Sequence, residues 1–247
     1  MTYKIQTFKE KPLLAPPSIE LGRNWWDVSD VDRHIMNFYL GEHRRTHHGA
    51  NIAELQHYMR KLGIAAKPTE KDKEAMREEL DRLHGNEVKL TDVWRRFMIR
   101  DAGLDDAFKS HMAIALRAQH EAHMDSRPVG ERIEELYFMK DLGIIDGLTD
   151  DEKIALREDL KTYRKNFEGI RIGEVHYYMR KFGMHEEVTE DDRHTMMRVL
   201  NSCRGEVLMD VELGADVAKM LIYSRELFGE EKSKGAQDMP PLKKIHT

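Results

Sequence analysis

Apolar residues recur at intervals of three and four positions through most of the middle of the chain. One stretch carries Ile35, Met36, Tyr39 and Leu40 with this spacing, and residues 156–163 repeat it. A period near 3.6 places such residues on one face of an α-helix, whereas a half-buried strand alternates at every second residue. The pattern predicts an all-α protein.

The predicted helices begin and end at residues that suit those positions. Four of them begin at a Ser or Thr followed by an acidic residue, and these pairs are Ser29-Asp30, Thr69-Glu70, Thr149-Asp150 and Thr189-Glu190. A hydroxyl there accepts backbone amides that the first helical turn leaves without partners, and carboxylates favour the positive end of the helix dipole. Gly63 and Gly183 predict the carboxyl ends of two further helices.

The chain contains an internal repeat with an offset of 120 residues. Residues 52–63 read IAELQHYMRKLG, and residues 172–183 read IGEVHYYMRKFG. The match runs without a gap from the pair 28/148 to the pair 93/213, and 17 of these 66 pairs are identical. The turns match as well as the helices, so we infer duplication of a unit that contains two helix–loop–helix elements.

The repeat divides the chain into five predicted regions. Residues 1–27 and 229–247 lack helical periodicity, contain most of the prolines and are expected to form extended arms. The first copy of the repeat covers residues 28–98, and the second covers residues 148–228. Residues 99–147 lie outside the match and predict a helical connector between the two copies.

The second copy resembles the calmodulin-like EF-hand family. Residues 148–151 (LTDD) look like the start of a lobe in that family, and residues 172–183 look like an exit helix. Residues 188–191 (VTED) look like the linker into a paired unit.

The resemblance covers about residues 28–98 and 148–221. It implies two lobes, each a pair of EF-hand-like helix–loop–helix units, joined by the connector. It also allows short strands that pair the loops through Val88, Ile170 and Leu208.

The second and fourth loops depart from this family where calcium would bind. A working loop has oxygen ligands at positions 1, 3 and 5, a glycine at position 6 and a bidentate carboxylate at position 12. The second loop keeps Asp81 and Asp92 at its ends but has Leu83 at position 3. The fourth loop keeps Glu212 but has Cys203 at position 3. Both loops are therefore expected to have lost calcium binding.

The first and third loops are one residue short and begin with cations. Arg44-Arg45 and Arg164-Lys165 stand where carboxylates belong. A hard dication takes six to eight oxygen ligands, which these loops do not supply. We therefore predict neither calcium nor another cofactor. The remnant metal positions are Glu54, Asp81, Asp92, Glu174 and Glu212.

Composition limits the classes of function. The 247 residues carry 40 basic and 45 acidic side chains, and a formal net charge of −5 is not typical of a nucleic-acid-binding protein. No apolar run approaches the ~18 residues that span a bilayer. The single Cys203 fits a reducing compartment. No phosphate-binding loop or nucleophile motif is evident, so we expect a cytoplasmic, non-enzymatic protein without nucleic-acid or membrane partners.

Some residues allow two interpretations. Trp25 and Trp26 either staple the N-terminal arm to the first lobe or insert into a neighbouring protein as interface anchors. The basic pairs that open the first and third loops are expected to contact an acidic protein. The histidines of the first loop, which include His43 and His57, form either a metal site or a solvated polar loop, and we favour the solvated loop.

These observations lead to two hypotheses of function. In the first, the chain is a structural subunit of a cytoskeletal assembly. It is similar to the EF-hand proteins that line the lumen of ciliary doublet microtubules, which also combine degenerate units with extended tails. This likeness implies tubulin and other axonemal proteins as partners, in the axoneme of a cilium or flagellum. In the second, a regulatory, light-chain-like subunit with residual calcium sensing grips a target helix, and the 15 methionines suit an adaptable groove.

Overall fold

The structure is a computed structural model that describes residues 24–83, 100–101, 103, 127–141, 143–205 and 213–229. The helices in these ranges are α1 (Asp30–Arg45), α2 (Gly49–Lys61), α3 (Glu70–Leu83), α4 (Val129–Asp141), α5 (Asp150–Asn166), α6 (Gly169–Lys181), α7 (Glu190–Gly205) and α8 (Leu213–Phe228). No described residue lies in a strand, so the all-α prediction is confirmed for this part of the chain. Within it, no helix combines the length and apolar character needed to cross a membrane.

The predicted helix starts are confirmed by their capping contacts. In α1 the backbone N–H of Ser29 donates to Asp32 Oδ2 over 2.8 Å, and the N–H of Asp32 donates to Ser29 Oγ over 3.2 Å. Thr149 forms the same reciprocal box at α5. Thr69 and Thr189 accept the corresponding amide at α3 and α7. Four helices therefore start where local sequence alone places them.

The connections between α1 and α2 and between α5 and α6 are much shorter than the predicted loops. Residues 46–48 and 167–168 suffice, because the chain reverses through His47 and Phe167, whose φ angles of 54° and 58° lie in the left-handed region. Much of the two predicted loops, 44–54 and 164–174, is therefore helical, because α2 already begins at Gly49 and α6 at Gly169.

Two glycines explain why the second helix of each copy starts so early. A Cβ on Gly49 would lie 2.4 Å from the carbonyl oxygen of Ala75, and a Cβ on Gly169 would lie 2.9 Å from that of Thr195. The missing side chain lets α2 and α6 begin directly against α3 and α7. Ile170, which the resemblance placed in a loop-pairing strand, therefore lies in α6.

Several predicted regions fall outside the described residues. These are the arms up to residue 23 and from residue 230, the second and fourth loops at residues 84–92 and 206–212, and the connector at residues 104–126. Val88 and Leu208, the other two residues assigned to loop-pairing strands, are among them.

The two copies of the repeat share one hydrophobic core. Helix α8 is the last helix of the second copy, but it packs on α1 and α2 of the first copy as well as on α6 and α7. Helix α4, from the predicted connector, packs on α5 and α6 of the second copy. Each pair of first and second helices is therefore covered by a helix from another part of the chain.

Helices α4 and α8 each place a glycine, near their start, against the first helix of one copy. Gly214, near the start of α8, lies against Tyr39 of α1, where its Cβ would be 2.9 Å from that of Tyr39. Gly130, near the start of α4, lies against Tyr163 and Asp159 of α5. A Cβ there would be 2.7 Å from the Tyr163 ring and 3.2 Å from the Asp159 Cβ, and the Gly130 N–H donates to Asp159 Oδ2 over 2.8 Å. Positions 39 and 159 differ by the repeat offset of 120 residues. We call the face of α1 and α2 the first seat and the face of α5 and α6 the second seat.

Candidate functional site

Four helices bring charged side chains into the middle of the molecule. Glu54 of α2 and Glu174 of α6 hold the same position in the two copies of the repeat, and both are buried. Glu134 of α4 is also buried, and Lys219 of α8 reaches the same region. We call these four residues the central cluster.

Glu134 connects the two copies of the repeat. Its Oε1 accepts a hydrogen bond of 2.7 Å from the hydroxyl of Tyr58 and another of 2.5 Å from the hydroxyl of Tyr178. These tyrosines are equivalent in the repeat, so one carboxylate oxygen of α4 joins α2 to α6. Hydrogen bonds to a charged acceptor are stronger than neutral ones, and here both are buried.

Lys219 supplies a positive charge to the central cluster. Its Nζ lies 2.8 Å from Glu54 Oε1 and 5.3 Å from the centre of the Tyr58 ring. Burial by itself would lower the pKa of the ammonium, but Glu54, Glu134 and Glu174 together raise it. Lys219 therefore stays charged throughout the ordinary pH range.

Glu174 takes its cation from its own helix. Arg171 Nη1 donates to Glu174 Oε2 over 2.7 Å. Burial and the nearby Glu134 nevertheless raise the pKa of Glu174. The hydroxyl of Tyr223 is buried, lacks a hydrogen-bond partner within the described ranges, and has its pKa raised by burial and by the glutamates of the cluster.

The central cluster gathers charges of both signs around three buried glutamates. Three carboxylates meet one ammonium, one guanidinium and two phenol donors. Buried ion pairs contribute little net stability, but they penalise arrangements that leave a charge without its partner. The geometry is thus suited to holding helices from different parts of the chain in one arrangement.

Each copy of the repeat also contains a buried aspartate that is held by an arginine. Asp72, at the start of α3, accepts two hydrogen bonds from Arg44, at 2.8 and 2.7 Å, and a third of 2.8 Å from Gln56. Burial opposes ionisation of Asp72, but these donors and the Thr69 amide outweigh it and lower its pKa to about 2. We call this arrangement the aspartate clamp.

The second aspartate clamp has the same geometry with one substitution. Arg164 donates to Asp192 over 2.8 and 2.6 Å, and His176 Nε2 lies 3.2 Å from Asp192 Oδ2 in the place of the first copy's glutamine. Hydrogen bonds from His176 and Arg164 outweigh burial and lower the pKa of Asp192. Each clamp ties the first, second and third helices of one copy together.

These contacts correct the interpretation of the basic pairs. Arg44 and Arg164 do not stand free for an acidic partner, because each already holds an internal aspartate. Arg45 is exposed and pairs with Glu42 one turn earlier in α1, over 2.5 Å. Lys165 is exposed at the end of α5. A role in partner binding stays a prediction for Arg45 and Lys165.

The remnant calcium positions do not form a metal site in the described part of the chain. Glu54 and Glu174 pair with Lys219 and Arg171, whereas Asp92 and Glu212 lie outside the described ranges and only the backbone of Asp81 is described. Among the described side chains, no three His, Cys, Asp or Glu residues are arranged to hold a metal ion. The absence of a cofactor stays a prediction.

The two tryptophans pack within the molecule. The ring centres of Trp25 and Trp26 lie 5.7 and 5.8 Å from that of Phe228, at the end of α8. Arg204 of α7 donates to the Trp25 carbonyl over 3.2 Å and holds buried Asp32 through two hydrogen bonds. The tryptophans thus pack on α7 and α8 of the second copy and not on the first lobe, to which the stapled interpretation assigned them.

Two residues of the central cluster, Glu134 and Lys219, were not predicted from the sequence. Glu134 and Lys219 lie among apolar neighbours in their helices, and a charge on such a face was the available signal. The prediction that His43 and His57 belong to a solvated loop is wrong, because both side chains are buried. Burial lowers the pKa of His43 to about 4 and that of His57 to about 3, so both are neutral at pH 7.

No family model, no curated protein and no solved structure matches this chain.

Proposed function

We propose that this protein is a non-enzymatic structural subunit that binds protein partners within a cytoskeletal assembly. The observation that carries the proposal is the packing of Trp25 and Trp26 against Phe228. It brings the beginning and the end of the described helical body to one place. The two flanking segments, residues 1–23 and 230–247, are therefore attached on the same side of the body.

The distribution of charge supports an acidic partner. Residues 1–23 and 230–247 together carry eight basic and five acidic side chains, whereas the 206 residues between them carry 32 basic and 40 acidic ones. An acidic surface therefore attracts the two flanking segments while it repels the helical body. Tubulin, in the axoneme of a cilium or flagellum, is a partner of this kind, and its choice rests on the family resemblance.

The internal contacts support a rigid role for the body. The central cluster and the two aspartate clamps connect α1–α8 through charged hydrogen bonds between distant parts of the sequence. Such connections favour one arrangement of helices over many. A body of this kind suits a subunit that spaces or staples its neighbours.

A co-assembly experiment tests the proposal. Purified tubulin is polymerised in the presence of the full chain, of the chain without residues 1–23, and of the chain without residues 230–247. We expect the full chain to sediment with the polymer and each shortened chain to sediment several-fold less, with the helical circular dichroism unchanged. Equal sedimentation of all three, or none by the full chain, contradicts the proposal.

Calcium titration separates the proposal from the regulatory alternative. Isothermal calorimetry of the full chain is expected to show no binding at micromolar calcium. Micromolar binding, together with a rise in exposed apolar surface, would instead favour the light-chain-like subunit that grips a target helix.

A further inference from the structure

The turn between α5 and α6 carries an exposed aromatic ring on a strained backbone. Phe167 is 62% exposed, and its φ of 58° lies in the left-handed region. A bulky side chain is an outlier in that region, whereas asparagine, aspartate and histidine are the side chains enriched there. The equivalent turn of the first copy follows this preference, because it has His47 with a φ of 54°.

Burial of the Phe167 ring does not compensate for the strain of the turn. A single exposed apolar side chain is ordinary by itself. An exposed ring on an unfavourable backbone is different, because residues held in such conformations are concentrated at sites that bind or switch. The ring of Phe167 is therefore a candidate for contact with another molecule.

Two cations flank the ring. The guanidinium of Arg198, in α7, lies 5.6 Å from the centre of the Phe167 ring, which is a cation–π distance. Lys165 is exposed two residues before the ring, and within the described ranges neither cation has an ion-pair partner. Glu168 follows the ring but is half-buried and accepts a hydrogen bond of 3.0 Å from Asn166. We call Lys165, Phe167 and Arg198 the basic-aromatic patch.

The first copy of the repeat lacks this combination. The positions equivalent to Phe167 and Arg198 are occupied there by His47 and Glu78. The backbone of the turn is thus the same in both copies, whereas the ring and its guanidinium occur together in the second copy alone. The difference lies in side chains that the turn itself does not require.

We propose that the basic-aromatic patch binds an acidic peptide segment of another protein, with an apolar side chain among its carboxylates. The carboxylates pair with Lys165 and Arg198, and the apolar side chain covers the exposed ring of Phe167. Aromatic and arginine side chains are enriched among the residues that anchor protein interfaces. Arginine clusters are also a recurrent means of recognising acidic motifs.

Charge favours a short acidic segment over other occupants of the patch. The flanking segments of this chain carry more basic than acidic side chains, so they do not complement two cations. The helical body around the patch is acidic and repels an extended polyanion, such as a nucleic acid or an anionic membrane. A short segment contacts the patch alone and avoids most of this repulsion.

Fluorescence anisotropy tests the proposal on the full chain. The probe is a fluorescein-labelled peptide with glutamates on both sides of one phenylalanine. We expect it to bind, to bind less as salt is added, and to lose binding when glutamines replace its glutamates. The experiment contains no tubulin, so its outcome is separate from that of the co-assembly experiment. No binding of the glutamate peptide, or equal binding of both peptides, overturns the proposal.

The first copy supplies variants that suit the same backbone. Phe167→His and Arg198→Glu should each weaken binding of the glutamate peptide at least about fivefold, because each removes a proposed anchor. Phe38→His is the matched control, since Phe38 is an exposed phenylalanine of α1 outside the patch. Unchanged binding in both patch variants, or an equal loss with Phe38→His, overturns the proposal.

Phe167→Gly separates a binding role of the ring from a structural one. Glycine adopts a positive φ without steric cost, so the urea midpoint should stay the same or rise while peptide binding falls. A lower midpoint would show that the ring stabilises the fold. Tighter binding of the native chain to phosphatidylserine vesicles than to the peptide would assign the patch to a membrane. Either result overturns the proposal.

Discussion

At the scale of single residues, several positions that are identical in the two copies of the repeat make equivalent structural contacts. Arg44 and Arg164 hold the aspartates of the two clamps, and Tyr58 and Tyr178 share the carboxylate of Glu134. Gly49 makes a close backbone approach that its counterpart in the second copy repeats. Positions that differ between the copies can make contacts that only one copy needs.

Gly49 provides a prediction with a control in the same copy. Gly49→Ala should lower the free energy of unfolding by about 1–3 kcal/mol or more, because its Cβ would overlap the backbone of Ala75. Gly41→Ala should raise it by roughly 0.5–1 kcal/mol, since nothing lies within 4 Å of that Cβ and alanine is the better helix former. Urea unfolding measures both, and equal effects would contradict the close approach.

The aspartate clamps predict loss of stability in acid. The pKa of Asp72 falls from 3.8 to about 2 on folding, so its contribution is complete above the higher value and is lost as the pH drops through the lower one. Asp72→Asn should cost about 1.5–3 kcal/mol at pH 7 and flatten the loss of stability below pH 4. Exposed Asp151→Asn is the control, and an equal effect there would argue against the clamp.

At the scale of helices, α4 is part of the folded body and not a spacer. Ile133, Leu136 and Met139 are almost fully buried, and Glu134 joins two helices that are equivalent in the repeat. Helix α4 also has no counterpart inside the repeat match. A helix from outside the duplication thus fills the second seat as α8 fills the first.

The shared carboxylate predicts coupling between two distant tyrosines. Tyr58→Phe and Tyr178→Phe should each cost about 1.5–3 kcal/mol, because each removes a hydrogen bond to a buried charge. The double variant should cost at least about 0.5 kcal/mol more than the sum, since Glu134 then loses both donors. Urea unfolding of the four chains of this cycle measures the coupling, and strict additivity would show that Glu134 is satisfied in another way.

At the scale of the whole molecule, helices that pack across the two copies make the copies depend on each other. Arg204, in α7, holds buried Asp32, in α1, over 2.8 and 2.9 Å across 172 positions of sequence. The rings of Trp25 and Trp26 pack against Phe228 on the same side of the molecule. If one copy unfolded, the other would expose the surface that these contacts bury.

This dependence predicts a single cooperative transition. Arg204→Met should lower the free energy of unfolding by about 3–5 kcal/mol, because it leaves Asp32 buried without its cation. Helical circular dichroism and tryptophan fluorescence should still shift together, since both copies unfold at once. Arg198→Met, an exposed arginine of the same helix, should have a small effect. Two separate transitions would show that the copies are independent.

The local features of this protein follow from its amino-acid sequence. Three such features are the apolar period, the capping residues Ser29 and Thr149, and the glycines at helix ends. Each depends on neighbours within one or two turns, so it can be read without tertiary structure. The repeat likewise identified which positions are equivalent. The EF-hand-like loops were expected from a resemblance, and the first and third fail because α2 and α6 start close against α3 and α7.

Which helices meet depends on contacts between distant parts of the chain. Lys219 and Glu54 are 165 positions apart, and Glu134 meets two tyrosines that lie on different helices. No local pattern encodes such contacts, because they depend on which helix enters which seat. The central cluster therefore became visible only once α4 and α8 were placed, and a buried charge on an apolar helix face was its only trace in the sequence.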